Sequence, residues 1–146
     1  MTRINLIDPH ELTDQHLFAE WREIKMVPAA LKRSLRTKTP QSVLKSIPKE
    51  FTLNKGHVLF FYNKMQYLSE RYDQLSKELM LRGYRKDLDW NPFSDYCETI
   101  PSMFFGNYVP TPNAIIIIKS RIKERIDSKP NWYKYYSKPI VESKAC

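Results

Sequence analysis

The chain has 146 residues, 42% of them hydrophobic and 13% aromatic, which excludes a disordered polypeptide and predicts one domain over residues 1–146 whose core needs no metal or disulfide. Lysine and arginine number 24 against 16 acidic residues, and this formal charge of +8 favours a polyanionic partner, nucleic acid before an anionic membrane surface. Cys97 and Cys146 lack the spacing of a zinc module or disulfide scaffold, and no apolar run is long enough for a signal peptide or membrane span, so we expect a soluble, cytoplasmic protein.

The first helix is predicted to begin at Asp8-Pro9, because an aspartate cap, a proline in the first helical position and Glu11 form a typical helix start. It should run into the low thirties, with Pro28 kinking or breaking it, because proline removes a hydrogen bond and clashes with the preceding turn. Residues 34–54, which are rich in proline, serine, threonine and lysine, are predicted to form an irregular basic loop.

The second helix has the clearest pattern, because seven apolar residues follow alternating spacings of three and four and so share one buried face. They are Val58, Phe61, Met65, Leu68, Tyr72, Leu75 and Leu79. Gly83 supplies the expected C-terminal stop, and residues 84–110 are predicted to be irregular.

A third helix is predicted to open at Thr111-Pro112 and to end before Pro130. Its buried stripe is formed by Ile115, Ile118, Ile122 and Ile126. An aromatic tail, Trp132 to Tyr136, follows. We therefore predict an all-α fold: a compact single domain of three main helices, with irregular basic loops and an aromatic C-terminal tail.

One face of the first helix gathers polar side chains around a small residue. At about 100° per residue, Gln15, His16, Ala19, Arg22 and Glu23 share that face. Two donors, a carboxylate and an imidazole there suggest a site; the alternative is a solvated face with local ion pairs. The chain lacks a phosphate-binding glycine loop, a nucleophile elbow and metal-ligand spacing, and His57 is predicted to be structural. These patterns predict a basic DNA-binding domain, which we expect to be monomeric and free of metal and cofactor.

The residues themselves carry a more specific signal in blocks spread over most of the chain. The blocks are Thr2-Arg3-Ile4-Asn5-Leu6, Asp14-Gln15-His16-Leu17, Ala19-Glu20, Arg22-Glu23, Gly56-His57-Val58, Phe60-Phe61-Tyr62, Phe105 to Pro110 and Trp132 to Tyr136. In order and in spacing, these blocks resemble the pyrimidine-dimer DNA glycosylases of T-even bacteriophages, the phage endonuclease V type.

The resemblance implies an all-helical domain that excises cyclobutane pyrimidine dimers from duplex DNA and then cleaves the strand at the abasic sugar. In that family the nucleophile is the α-amine of a threonine exposed by methionine removal, here Thr2, and the catalytic carboxylate carries over to Glu23. Residues matching DNA-contacting positions, or adjoining them, are Arg3, Gln15, His16, Arg22, Lys25, Arg121, Arg125, Trp132, Tyr133 and Lys134.

The chain departs from the family pattern near the end of the first helix. Lys25-Met26 stands where Pro-Arg is usual, and Trp21 stands where tyrosine is usual. Lys25 is the candidate replacement for the missing arginine, although lysine cannot repeat a planar two-pronged phosphate contact.

Three alternatives stay open: a non-catalytic module for distorted DNA, a glycosylase of the same chemistry with another lesion preference, and a membrane-surface protein. The aromatic tail is open between DNA contact and packing onto the core.

Overall fold

The computed structural model describes residues 3–84 and 91–139, and in these the protein is built from helices around one hydrophobic core. The helices are α1 (Asp14–Glu23), α2 (Met26–Leu35), α3 (Pro40–Ser46), α4 (His57–Phe60), α5 (Met65–Leu81), α6 (Phe93–Tyr96) and α7 (Pro112–Ser128). Short 3-10 turns occupy Pro9–Glu11 and Ser102–Phe104, and β1 (Lys134–Tyr135) pairs antiparallel with β2 (Lys138–Pro139). The predicted all-α fold is confirmed. None of the helices in the described ranges is long and apolar enough to cross a membrane.

The first helix begins later than its sequence signal predicts. Asp8 accepts a hydrogen bond from the backbone N–H of His10 at 2.9 Å, but it caps only a 3-10 turn. Leu12 is extended, and Thr13 then caps α1 by accepting from the N–H of His16 at 3.1 Å. The predicted start at Pro9 is therefore wrong by about one helical turn, because two capping side chains lie close together and the second one starts the helix.

The predicted break at Pro28 is confirmed, and it lies four residues upstream of the proline. In a continuous helix the carbonyl of Ile24 would accept from the N–H of residue 28, which a proline does not have. The chain instead ends α1 at Glu23 and restarts at Met26. Pro28 then falls in the first turn of α2, where a missing N–H costs no helical hydrogen bond.

Within the region predicted as an irregular loop, α3 is a clear exception. Thr39 accepts from the N–H of Ser42 at 3.1 Å, Pro40 occupies the first helical position, and Val43 is buried. Thr39-Pro40 repeats the Thr-Pro start of the predicted third helix, so the sequence carries a helix signal here, and the prediction of an irregular loop is wrong for these residues.

The predicted second helix is divided into α4 and α5 by a contact from a distant segment. The backbone N–H of Gly106 donates to the carbonyl of Asn63 at 3.1 Å, and the N–H of Tyr67 donates to the carbonyl of Gly106 at 3.3 Å. A β-carbon at position 106 would lie 2.6 Å from the Asn63 oxygen, so only glycine allows this approach. At the other end, Gly83 adopts a φ of 84° just after α5, as predicted.

The core is centred on α5, and the predicted stripe of the second helix is confirmed. All of its members are fully buried apart from Val58, which is partly buried. The stripe of α7 is shallower: Ile118 is buried, whereas the other three predicted isoleucines are partly exposed. Of the predicted irregular stretch, residues 85–90 lie outside the described residues, and the rest contains α6 and one 3-10 turn. Thus α5 carries the centre of the core and α7 lies at its edge.

Candidate active site

A cleft of about 290 Å³ lies where α1, α7, the N-terminal segment and the residues after α7 meet. The residues that line it come from all four parts of the chain: Arg3, Asn5, His16, Ala19, Glu20, Glu23, Arg121, Ile122, Arg125 and Tyr133. We call it the α1–α7 cleft. It brings together residues more than a hundred positions apart in sequence.

The α1 side of the cleft follows from helical spacing. His16, Ala19, Glu20 and Glu23 are three, four and seven residues apart, so they lie along one side of the helix. The small side chain of Ala19 leaves space between the imidazole and the carboxylates. The face predicted from the sequence is therefore a cleft wall in part, rather than a fully solvated surface.

The two glutamates on this wall have different environments. Glu20 is 1% exposed and forms a buried ion pair with Arg71 of α5, with the Arg71 Nη2 atom 3.0 Å from Glu20 Oε1 and a second bond from Nε to Oε2. Burial lowers the pKa of Arg71, but the adjacent Glu20 carboxylate outweighs burial and raises it. Glu20 is therefore neutralised inside the protein, and Glu23, which is partly exposed, is the carboxylate that the cleft offers to a ligand.

Three guanidinium groups face the same cleft from two sides. Burial, followed by repulsion from Arg121 and Arg125, lowers the pKa of Arg3. Arg121 also lies 3.6 Å from the exposed carboxylate of Glu124. Guanidinium groups that line one cleft and repel one another are well suited to bind phosphate oxygens, which they contact with paired N–H donors.

His16 contributes a neutral ring rather than a further cation. Burial, followed by repulsion from Arg125 and Arg3, lowers the pKa of His16 to about 4. Its Nδ1 atom lies 2.7 Å from the hydroxyl of Thr13, and the ring of Tyr133 stacks on it at a centroid distance of 4.8 Å. His16 therefore fixes the position of Tyr133 at the cleft.

Residues 132–138, which we call the C-terminal strap, are held against α1 by polar contacts. Gln15 donates to the carbonyl of Trp132 at 2.7 Å and accepts from the N–H of Lys134 at 2.9 Å. The turn of the strap has positive φ at Tyr136 and Ser137, and the carboxylate of Asp14 accepts both of their N–H groups, at 3.1 and 2.7 Å. The aromatic tail predicted from the sequence is thus a small hairpin bound to the start of α1.

The predicted site residues divide into those at the cleft and those beside it. Arg3, His16, Glu23, Arg121, Arg125 and Tyr133 line the cleft. Gln15 holds the strap, while Arg22, Lys25, Trp132 and Lys134 lie on the exposed surface. Thr2 lies outside the described residues. Asn5 and Glu20 line the cleft but were not predicted as site residues; the blocks that contain them were their only signal.

Among residues 3–84 and 91–139, no group of three histidine, cysteine, aspartate or glutamate side chains is arranged to hold a metal ion.

A family model described as pyrimidine dimer DNA glycosylase matches residues 1–92. The match spans α1 to α5 and includes the N-terminal segment and the α1 wall of the cleft. The chain therefore belongs to the pyrimidine dimer DNA glycosylase family and is a DNA-repair glycosylase acting on DNA that contains pyrimidine dimers.

Proposed function

We propose that the protein is a bifunctional glycosylase and AP lyase for cyclobutane pyrimidine dimers, in which the α-amine of Thr2 is the nucleophile after removal of Met1. The observation that carries this proposal is the meeting of Arg3, the direct neighbour of Thr2, with Glu23 in one cleft. Arg3 thus brings the chain beside the proposed nucleophile to the cleft that also holds the Glu23 carboxylate, Arg121 and Arg125.

An α-amine suits this chemistry better than an ordinary lysine. Its reference pKa is about 8, against about 10.4 for lysine, so a larger fraction is unprotonated at neutral pH. Burial lowers the pKa of Lys64 to about 8, which makes it a competitor on pKa alone. Lys64 does not line the cleft, however, and its Nζ atom donates to the Phe60 carbonyl and to the Asn63 side chain, both at 2.9 Å.

The proposed reaction has two stages. The amine lone pair attacks C1′, the glycosidic C1′–N bond breaks, and its electron pair leaves with the base, which takes the proton that the newly attached nitrogen loses. The C1′–O4′ bond then breaks and O4′ is protonated, leaving a protonated imine between Thr2 and C1′. The imine makes the C2′ proton acidic. Loss of that proton expels the 3′ phosphate with the C3′–O electron pair, and water later hydrolyses the imine to regenerate the amine.

Glu23 has a role in both stages. Its negative charge stabilises the positive charge that develops on the sugar during base departure, and its oxygen accepts the C2′ proton during elimination. Neither stage needs a metal or a cofactor, because the amine is itself the nucleophile and the imine is the electron sink. Glu20 is unsuited to the same role because Arg71 already neutralises it.

DNA binding supports this chemistry through phosphate contacts and distortion. We assign the phosphates beside the lesion to Arg3, Arg121 and Arg125, and the flanking duplex to the exposed Arg22, Lys25, Trp132 and Lys134, with Gln15, His16 and Tyr133 at the boundary. A base inside a duplex must leave the stack before its sugar can be attacked, and a kinked lesion lowers that cost. Met26 stands where the family usually has an arginine, and it is 52% exposed. We therefore propose that lesion preference is the property in which this protein differs from its family. We propose that one copy of the chain is sufficient.

Borohydride trapping on ultraviolet-irradiated duplex DNA tests the proposal. We expect a covalent protein–DNA adduct whose mass spectrum places the link on the Thr2 nitrogen. A crosslink on an internal lysine would overturn the assigned nucleophile. Binding of irradiated DNA without excision would favour a non-catalytic module, and excision of oxidised purines in preference to dimers would favour the alternative lesion.

A further inference from the structure

The N-terminal segment, residues 3–7, is a buried stretch whose backbone is held by side chains. Ile4, Asn5, Leu6 and Ile7 are all buried, although the segment belongs to neither a helix nor a sheet. The N–H of Ile4 donates to His57 Nε2 at 2.9 Å, and the N–H of Asn5 donates to Glu20 Oε1 at 3.2 Å. Buried backbone donors need partners, and here the partners are side chains of α4 and α1.

The anchor at Asn5 is part of the buried ion pair. Glu20 Oε1 also accepts from the side-chain Nδ2 of Asn5 at 2.9 Å, and the same carboxylate binds Arg71. Removing one partner of such a pair leaves an uncompensated buried charge, which is strongly destabilising. This anchor therefore belongs to the core, and substitutions in it would report mainly on stability.

The anchor at Ile4 depends on the protonation and orientation of one imidazole. His57 Nδ1 lies 2.8 Å from the carbonyl of Thr52, which can only accept, so Nδ1 carries the hydrogen and Nε2 keeps the lone pair. Burial lowers the pKa of His57 to about 4, so the ring is neutral near neutral pH. Phe51 and Phe61 pack edge-on against it, each at a centroid distance of 5.4 Å, and fix its plane.

The Ile4 anchor lies close to the nucleophile along the chain. Two residues span at most about 7 Å, so fixing the Ile4 nitrogen limits the volume that the Thr2 amine can explore. A nucleophile that is already held near its target loses less entropy on reaching the transition state, so its attack is faster. We propose that His57 is a positioning residue: by accepting the Ile4 N–H, it fixes the backbone two residues after Thr2 and so limits the positions open to the α-amine. This inference rests on the proposed function, in which Thr2 is the nucleophile.

Two substitutions at one position separate positioning from structural support. In His57→Gln, the terminal amide reaches the former Nε2 position and offers an acceptor to Ile4. In His57→Asn, the shorter amide reaches only the former Nδ1 position, so it can donate to Thr52 but leaves the Ile4 N–H without an acceptor. A matched control is Phe51→Leu, which loosens the packing around His57 without removing either hydrogen bond.

The measurements are the single-turnover rate of borohydride-trapped adduct formation on an abasic-site duplex, the Kd for the same duplex, and the Tm of each variant. We expect His57→Asn to slow trapping roughly 10- to 100-fold, with Kd within about threefold of wild type. The rate of adduct formation in His57→Gln should lie within about fivefold of the wild-type rate. Phe51→Leu should lower Tm without a comparable loss of that rate. Equal rate losses in His57→Asn, His57→Gln and Phe51→Leu, in proportion to Tm, would overturn the proposal, as would a wild-type rate in His57→Asn.

A measurement on the wild-type protein remains decisive if His57→Asn does not fold. Long-range ¹H–¹⁵N correlation spectra identify which imidazole nitrogen carries the hydrogen. We expect the Nδ1–H form, with the Ile4 amide protected from exchange; an Nε2–H form would overturn the proposal, because that nitrogen could not accept from Ile4. If wild type forms no adduct through Thr2, the proposed function fails and the positioning role fails with it. If wild type traps through Thr2 and His57→Asn traps equally fast, only the positioning role fails.

Discussion

The N-terminal segment and the C-terminal strap both border the α1–α7 cleft, but they are attached to the protein in different ways. The N-terminal segment is buried, and its backbone is bound by His57 and by the Glu20–Arg71 pair. The strap is largely exposed, and at the start of α1 it is bound by the partly exposed Gln15 and by the buried carboxylate of Asp14. Each contacts one histidine whose pKa burial lowers to about 4: His57 for the segment and His16 for the strap.

This difference indicates a division of roles around one cleft. An attachment that belongs to the core moves only when the fold opens, which suits a group whose position sets a reaction rate. The two bonds from Gln15 to the strap are exposed and open at a cost of about 1 kcal/mol each, which suits a surface that adapts to DNA, while Asp14 keeps the turn of the strap in place. We therefore expect changes beside the N-terminal segment to affect chemistry and stability, and changes beneath the strap to affect DNA affinity.

The largest expected effect is at Glu23, which lies on the α1 wall of the cleft. Glu23→Gln should lower single-turnover excision by roughly 10³-fold, because glutamine lacks the charge that stabilises a cationic sugar. Strand cleavage should be lost as well, because glutamine offers no base for the C2′ proton. Binding to irradiated duplex, measured by gel shift, should be unchanged or slightly tighter, since one repulsive charge near phosphates is removed. The matched control is Glu124→Gln, which removes an equal charge near Arg121 from an exposed position. Wild-type excision by Glu23→Gln would remove Glu23 from the site.

The second effect concerns acid stability. The pKa of His57 is about 4 in the folded protein, against 6.5 for an ordinary histidine, so between these values the unfolded chain binds a proton that the folded protein does not. The free energy of unfolding should therefore be highest above pH 6.5, fall as the pH drops toward 4, and level off below, with His57 contributing on the order of 3 kcal/mol. The lowered pKa of His16 also reduces the free energy of unfolding as the pH drops toward 4. The pKa of Asp14 is lowered below 3.8, mainly by hydrogen bonds that outweigh burial, so its contribution is lost only at lower pH.

Urea denaturation between pH 7 and pH 4 measures this dependence. His57→Gln should show a shallower fall than wild type, because glutamine does not titrate. Parallel curves for the two proteins would show that the fold does not hold the His57 ring neutral.

A smaller effect is expected beneath the strap. Gln15→Ala removes the two hydrogen bonds to Trp132 and Lys134, so the strap should open more often. The Kd for dimer-containing duplex should rise by up to about tenfold, with a smaller change in the excision rate at saturating protein. In the free protein, hydrogen exchange at the Lys134 amide should accelerate. Gln66→Ala on the exposed face of α5 is the control. Unchanged Lys134 exchange would show that Gln15 does not hold the strap in solution.

The smallest effect is expected at a phosphate contact common to all DNA sequences. Arg121→Ala should reduce the slope of log affinity against log salt for undamaged duplex by roughly one unit, because each phosphate contact releases about one counterion. Lys123→Ala is a control on the same helix, since Lys123 does not line the cleft and its Nζ atom lies 2.7 Å from Asp127. A slope that stays the same in Arg121→Ala would place this residue away from the DNA.

The parts of the fold that local sequence encodes were predictable. The stripe of α5 and the Thr-Pro start of α7 both act within one or two helical turns, and both are confirmed. The break before Pro28 follows from a single missing N–H. The start of α1 was misplaced because Asp8 and Thr13 both carry a capping signal and only packing selects between them.

The site was predictable to the extent that it follows one helix or one resemblance. The spacing of His16, Ala19 and Glu23 predicts a shared face, and the structure places all three in the cleft. Gln15 and Arg22 satisfy the same angular rule but lie outside it, because a helix face is wider than the surface that one neighbouring segment covers. Asn5 and Glu20 were overlooked because their importance comes from Arg71, which is 51 residues beyond Glu20.

By itself, the sequence determined the helical class, the main core stripe, the surplus of positive charge and the family, because each depends on residue type and short-range spacing. Only the tertiary structure decided which of two glutamates three residues apart is neutralised by Arg71 and which faces the cleft. It also decided that Gly106 divides a predicted helix and that Gln15 holds the strap. These outcomes depend on contacts between residues that are distant along the chain. Such contacts form when apolar faces pack, and the packing sets which polar groups are left in water.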